Sequence, residues 1–203
     1  MQRYLKERED FVKENWFSGH VATVIQHGPV KILEWKNPLQ EVHSFKYVFL
    51  NGDLFISAEY CHAVFHFPWN VKIEELAKMN INECMFYYKC SYSKMWNFNP
   101  ELAMEQLLGW KNRMKKEITE EHFYIYKEFY LQIEELIWQS EDVEDYEERL
   151  KNNFSKPHPF GKEYSSLIHL GKEYSIVFIA YLLGLQLANE QLRRERLQKG
   201  SFT

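Results

Sequence analysis

The chain has little cysteine, and no two cysteines lie at metal-ligand or redox spacing. Its three cysteines, Cys61, Cys84 and Cys90, are an odd set without a C-x-x-C pair. A disulfide framework is therefore not indicated, and a zinc site built from these cysteines and a histidine lacks the usual ligand spacing. We expect free thiols in a reducing compartment, and no bound metal or other cofactor.

A long apolar run is also lacking. The most apolar stretch, Ile176–Leu185, has ten residues, and the polar Gln186 and Asn189 follow it closely. A helix needs about 20 apolar residues to cross a bilayer, so we expect no membrane partner. Because Met1–Asp10 is rich in charge, we expect no signal peptide and a location in the cytoplasm.

An excess of positive charge is absent too. The formal net charge is −4 at pH 7, which argues against a generic nucleic-acid binder. Gly161-Lys162 and Gly171-Lys172 each resemble the end of a phosphate-binding loop, but glutamate follows both lysines where serine or threonine is needed. Neither direct nucleic-acid binding nor a nucleotide cofactor is predicted.

Aromatic residues, by contrast, are abundant. The 203 residues include 15 Phe, 13 Tyr and 6 Trp, and 45% of the chain is hydrophobic. Aromatic side chains in this number either fill a thick core or leave an exposed adhesive face. The composition predicts a globular protein with a sizeable core.

The clearest local signal is a hairpin centred on Asn51-Gly52. This dipeptide favours a type I′ turn, which needs positive φ at both central positions. Such a turn places residues whose numbers add up to 103 opposite each other, from Phe45 to Ala58. Because side chains alternate along a strand, one face collects the apolar residues. We expect that face to be buried: Phe45, Tyr47, Phe49, Leu54 and Ile56.

The order of apolar patterns predicts an α+β fold. β-branched and aromatic runs between turn signals predict an antiparallel meander of about five strands over residues 20–69. The remainder, residues 71–198, predicts helices that include short ones at Val71–Met79 and Asn82–Cys90. An antiparallel sheet with one apolar face needs a cover, so we expect the helical assembly to pack against it in a single domain, residues 1–203.

Helix boundaries are also readable after Asn99. Asn99-Pro100-Glu101 combines an N-cap, proline at the first position and an early acid. We expect Ser140 to cap a further helix, Glu141–Asn152. Asn153–Phe160 has the composition of a loop and is the candidate linker.

One fragment suggests an enzyme. The apolar strand around Ile32 ends in Glu34-x-Lys36, which is half of a metal-dependent nuclease core in which carboxylates hold Mg²⁺ and a lysine assists the attacking water. That core also needs an upstream acid, and the nearest ones, Asp10 and Glu14, fall on a predicted helix. The alternative is that Glu34 and Lys36 share the solvated side of an edge strand.

An acidic tract stands out in the second half of the chain. From Glu117 to Glu148 there are twelve acids and one base, Lys127, so this segment carries −11 while the rest carries +7. Like charges one helical turn apart destabilise a helix slightly. The tract is either a solvated face or a surface that docks a basic groove, as a nucleic-acid mimic does. The candidate partner-binding residues are Glu141, Asp142, Glu144, Asp145, Glu147 and Glu148.

Two N-terminal stretches resemble a known family. These are Asn15–Val24 (NWFSGHVATV) and Val30–Lys36 (VKILEWK), followed by the hairpin. They are similar to an uncharacterised family of small accessory proteins encoded by phages and prophages of Gram-positive bacteria, over residues 1–110. The resemblance implies a protein that works in the bacterial host cytoplasm, often against host defence, and it supplies no catalytic residues.

These observations favour a non-enzymatic, phage-encoded inhibitor of host defence, of the anti-CRISPR kind. It would bind a host defence protein or nucleoprotein complex through its acidic tract, with exposed aromatics as anchors. Two alternatives remain open. One is a metal-dependent nuclease that uses Glu34 and Lys36, and the other is a structural homo-oligomer in which aromatic helices complete their burial against a second copy.

Overall fold

The structure is a computed structural model that describes residues 2–59, 61–116, 123–153 and 161–200. Contacts between Cα atoms divide the chain into two compact units. The sheet unit combines Gln2–Met95 with the chain from Ser175 onward, and the helical unit is Trp96–Tyr174. The predicted α+β class is confirmed, whereas the single domain stays a prediction. Apart from Asn153, the candidate linker lies outside the described residues.

The sheet unit is built on a six-stranded antiparallel sheet whose strands follow chain order. Five strands match the predicted meander, and the sixth overlaps the end of the segment predicted as helix, Asn82–Cys90. The helix there ends at Met85, and Cys90 pairs with Val64. Pairing with the neighbouring strand overrides the local helix propensity. The strands are β1 Val21–His27, β2 Val30–Asn37, β3 Gln40–Leu50, β4 Asp53–Ala58, β5 Cys61–His66 and β6 Tyr88–Ser91.

The predicted hairpin is confirmed in turn type and register. Asn51 and Gly52 both have positive φ, 49° and 90°, as a type I′ turn requires. Tyr47 lies opposite Ile56, and Phe49 lies opposite Leu54. The five residues predicted to form the core face are all buried.

The helices of the sheet unit supply the cover that its apolar face needs. They are α1 Gln2–Phe11, a π-helical segment Val12–Trp16, α2 Ile73–Leu76, α3 Ile81–Met85 and the long α8 Ile176–Gly200. Helix α8 buries Phe178, Tyr181 and Leu185 in the same hydrophobic cluster as Tyr47. Within the described ranges, no helix is long and apolar enough to cross a membrane.

One close approach fixes α8 on the sheet. The hydroxyl of Tyr47, which is fully buried, donates a hydrogen bond to the backbone carbonyl of Tyr181 at 2.9 Å. This contact is possible because residue 184 is glycine: a Cβ there would lie 2.5 Å from Tyr47 Oη and 3.2 Å from Trp35 Cδ1. Such distances leave no room for a side chain.

The helical unit packs its own core. Its elements are β7 Trp96–Phe98, α4 Pro100–Met114, α5 Phe123–Gln139, α6 Val143–Asn153, α7 Tyr164–Leu167 and β8 Lys172–Tyr174, with β7 and β8 paired. The predicted start of α4 is confirmed, because the Asn99 side chain accepts a hydrogen bond from the Leu102 N–H at 2.9 Å. The core is rich in aromatic and branched residues, among them Leu107, Trp110, Phe129, Ile133, Ile137, Tyr146 and Leu150.

We predict that Gly184→Ala lowers the stability of the sheet unit, although alanine is the better helix former. Crowding of Tyr47 Oη should cost about 1–3 kcal/mol, which exceeds the gain in propensity. Gly109→Ala on α4 is the matched control, because a Cβ there meets nothing within 4 Å. The control should be neutral or stabilising by up to about 1 kcal/mol. Urea unfolding of both variants decides it, and equal effects would contradict the packing described for Gly184.

Candidate interaction surface

Helix α6 carries most of the predicted acidic residues and is amphipathic. Val143, Tyr146 and Leu150 recur at helical spacing and are buried in the core of the helical unit. The acids fall between them, so they lie at the surface, and Glu141 and Glu148 are exposed. The sequence thus places a dense row of carboxylates on the outer side of a helix whose inner side is firmly packed.

Several of these carboxylates are used within the helical unit. Asp142 caps α6, because its Oδ1 accepts a hydrogen bond from the Asp145 N–H at 2.9 Å. Asp145 in turn accepts from the Glu141 N–H and from Arg149 Nε, at 3.1 and 2.8 Å. The pKa of Asp145 lies below its usual value. The main cause is the hydrogen bond from Arg149, and the hydrogen bond from the Glu141 N–H adds to it. Glu147 forms an ion pair with Lys172.

The prediction that Ser140 caps this helix is wrong. The Ser140 hydroxyl instead donates to the carbonyl of Leu136, at 2.7 Å, near the end of α5. Asp142, two residues later, takes the capping position because aspartate also favours the positive end of the helix dipole. The cap therefore comes from the acidic tract itself.

A second feature of this unit is a row of exposed side chains along α5. Tyr124, Leu131 and Trp138 are spaced seven residues apart and are 79%, 53% and 56% exposed. Glu128 and Glu135 are exposed between them. At 100° per residue these five side chains fall in one sector, opposite the buried face of α5. We call these five residues the α5 stripe.

The α5 stripe is joined to the acidic helix by a short chain of polar contacts. Glu135 accepts a hydrogen bond from Gln139 Nε2 at 2.8 Å, and the Gln139 Oε1 lies 3.5 Å from a terminal nitrogen of Arg149. The same arginine binds Asp145. The α5 stripe and the exposed acids of α6, Glu141 and Glu148, thus form one acidic-aromatic surface on the helical unit.

The acids of this surface were predicted from the sequence, whereas its exposed aromatic residues were not identified. Other apolar residues of α5, among them Tyr126, Phe129 and Ile133, are buried in the core of the helical unit. The additional signal was the seven-residue spacing of Tyr124, Leu131 and Trp138, which does not fit the buried face. Helix α5 thus carries a second apolar side, opposite its buried face, at the surface of the helical unit.

The residues of the enzyme alternative, Glu34 and Lys36, lie together on the solvated face of β2. Glu34 Oε2 lies 2.9 Å from Lys36 Nζ, and its Oε1 lies 3.2 Å from Lys46 Nζ. The hydrogen bonds from Lys36 and Lys46 lower the pKa of Glu34. Both carboxylate oxygens therefore contact cations of the protein, which leaves Glu34 poorly disposed to hold a divalent ion.

A cluster of metal-ligating residues does not occur elsewhere in the described ranges either. No group of three His, Cys, Asp or Glu residues there is arranged to hold a metal ion. Cys61, Cys84 and Cys90 are free, the first two are buried, and burial raises the pKa of Cys84 to about 12. Such a thiol is unreactive at neutral pH.

Comparisons with family models, with curated proteins and with solved structures find no match to this chain. The acidic-aromatic surface must therefore be interpreted from its own chemistry.

We predict that Asp142→Ala destabilises the helical unit by about 1 kcal/mol, because the N-terminal amides of α6 lose their cap. Glu148→Ala removes an exposed acid from the same helix and should change stability by no more than about 0.5 kcal/mol. Thermal unfolding followed by circular dichroism compares the two. If both variants had the melting temperature of the wild type, the assignment of Asp142 as the cap of α6 would be wrong.

A second prediction concerns pH. Because the folded-state pKa of Glu34 lies below its ordinary value of 4.5, its contribution to stability is present above that pH and is lost as the pH falls through the lowered value. Glu34→Gln should therefore reduce stability at pH 7, by no more than about 1 kcal/mol since both lysines are half exposed, and should have a smaller effect at pH 2, where more of the carboxyl is protonated. Melting temperatures at the two pH values measure this. A difference that persisted unchanged at pH 2 would contradict the ion-pair explanation.

Proposed function

We propose that this protein is a non-enzymatic binding protein whose acidic-aromatic surface occupies a basic surface of a partner. The observation that carries the proposal is the α5 stripe, in which exposed Tyr124, Leu131 and Trp138 alternate with Glu128 and Glu135. Apolar anchors give affinity, and the acids between them select the sign of the partner's charge.

The apolar part of the surface supports protein binding in particular. Large apolar residues that are more than half exposed and aligned along one helix are typical of an interface rather than of scattered surface residues. Tyrosine and tryptophan are also the residue types enriched among binding hot spots. The spacing of 3 and 4 along the α5 stripe is the one by which a helix is recognised along its length.

The charge of the surface favours a basic partner over a second copy of this chain. Glu128 and Glu135 lie within the α5 stripe, and Glu141 and Glu148 are exposed on α6. Self-association through this face would bring acidic residues of two copies together, which is unfavourable. A basic groove that normally follows nucleic acid has the opposite charge, so the surface would act there as a competitor of nucleic acid.

The resemblance to phage accessory proteins supports one class of partner. A host defence protein or nucleoprotein complex in the bacterial cytoplasm contains such a basic path, and an inhibitor that occupies it needs no catalytic group. The nuclease alternative requires Glu34 to coordinate a cation, whereas Lys36 and Lys46 contact both of its carboxylate oxygens. We therefore propose an anti-defence inhibitor and not an enzyme.

The test separates the two halves of the surface. A partner is first captured from defence-carrying bacterial cells, and its affinity is then measured with purified proteins at two salt concentrations. Leu131→Ser with Trp138→Ser should weaken binding about tenfold or more at both salts. Glu128→Lys with Glu141→Lys and Glu148→Lys should weaken it most at low salt, because screening is strongest at high salt. Asp142 and Asp145 are left unchanged, since they stabilise α6.

Phe86→Ser is the matched control, because Phe86 is 84% exposed but lies in the sheet unit. It should bind like the wild type. The proposal fails if the partner binds the variants of α5 and α6 with unchanged affinity, or if binding does not depend on salt. Divalent-metal-dependent cleavage of nucleic acid that is lost in both Glu34→Ala and Lys36→Ala would instead support the nuclease.

A further inference from the structure

The six-stranded sheet has a second face, opposite the one that α8 covers. Tyr47 and Phe65 point inward and belong to the hydrophobic cluster that α8 completes, so the alternate residues along their strands point the other way. Side chains on that side are accessible, since those of Lys36, Lys46 and His66 are each more than half exposed. We call this side of the sheet the outer face.

An apolar row crosses the outer face from β1 to β5. Its members are direct cross-strand neighbours in four successive strand pairs: Ile25, Ile32, Val48, Phe55 and Val64. Phe55 is 41% exposed, and the other four are partly exposed. Val30 and Leu50 widen this outer row on one side, because each lies two residues along its strand from a member. Contiguous apolar residues with polar residues around them are typical of a protein-protein interface.

The outer face is large enough for an interface between two proteins. Its six strands lie about 4.8 Å apart, and β4 and β5 are each six residues long, which gives a flat area of about 500 Å². Two such faces packed together bury about 1,000 Å² in total, the area at which specific interfaces begin. Side chains that project from the sheet add to this area.

The charges on the outer face suit a second copy of the same face. On one side of the outer row lie Glu34, Lys36 and Lys46, two bases and one acid, which sum to +1. On the other side lies Asp53, opposite Leu50, with a charge of −1. A two-fold axis along the outer row turns one copy over onto the other and sets each side against the opposite one. The outer face is therefore complementary to itself in charge as well as in apolar character.

We infer that two copies of this chain form a dimer by packing their outer faces together about a two-fold axis. Phe55 lies within the outer row, between Val48 and Val64, and is the anchor of this interface, because large aromatic residues near the centre of an interface contribute most to affinity. Neither the α5 stripe nor the acids of α6 take part, so this inference is independent of the proposed function.

Sedimentation equilibrium of the full chain at a series of concentrations measures the dissociation constant of the dimer. Phe55→Ser should raise this constant about tenfold or more, because the dimer loses two buried rings. Phe86→Ser is the matched control, since Phe86 is 84% exposed in the same unit but follows α3 and lies outside the sheet. The control should dimerise like the wild type.

A second variant makes the outer row polar without a large change in shape. Val48→Thr with Val64→Thr keeps two β-branched residues and should also weaken the dimer, which keeps the inference testable if Phe55→Ser does not fold. Leu131→Ser with Trp138→Ser, on the α5 stripe, should leave the dissociation constant unchanged. A wild-type chain that stays monomeric at every concentration overturns the inference. So does a dimer that persists in the variants of the outer row, or one that is lost in the variant of the α5 stripe.

Discussion

The sheet unit depends on the contact between Tyr47 and the backbone of α8. Tyr47 lies in the middle of the hairpin, and its hydroxyl can reach the Tyr181 carbonyl only because Gly184 lets the helix come close. The burial of a polar hydroxyl among aromatic rings is tolerable because that hydrogen bond is made. This one contact fixes the position of the helix along the strands, and Trp35 is packed just as closely, since its Cδ1 would lie 3.2 Å from a Cβ at residue 184.

The acids of the helical unit fall into two groups, those that stabilise the fold and those that are exposed. The functional proposal concerns the exposed group. Asp142, Asp145 and Glu147 satisfy a helix N-terminus or bind cations of the same unit. A clustered negative charge is thus explained in part by folding, since carboxylates at a helix start offset some of their mutual repulsion. Exposed Glu141 and Glu148 have no such role in the described contacts, and the adjacent α5 stripe adds the apolar area that a solvated face does not need.

The predictable features were those set by local chemistry. Asn51-Gly52 determined the turn and the register of Tyr47, and Asn99-Pro100 determined the start of α4. Features that depend on tertiary contacts could not be predicted: β6 forms because β5 offers an edge, and α8 covers the sheet through a glycine that the sequence alone does not mark. The α5 stripe was not predicted for a related reason: its seven-residue spacing marks a second apolar side of the helix, but only the fold shows that this side is left exposed.

If the proposed function is right, a partner contacts the α5 stripe. The most direct measurement places a photo-crosslinking phenylalanine analogue at Leu131 in cells and, as a control, at Phe86, which is exposed in the sheet unit. We predict that one protein cross-links at position 131 and does so through a basic face. This adduct should be absent at position 86 and should be lost when Glu128 and Glu135 are changed to lysine. No adduct at position 131, or the same adducts at both positions, would contradict the claim.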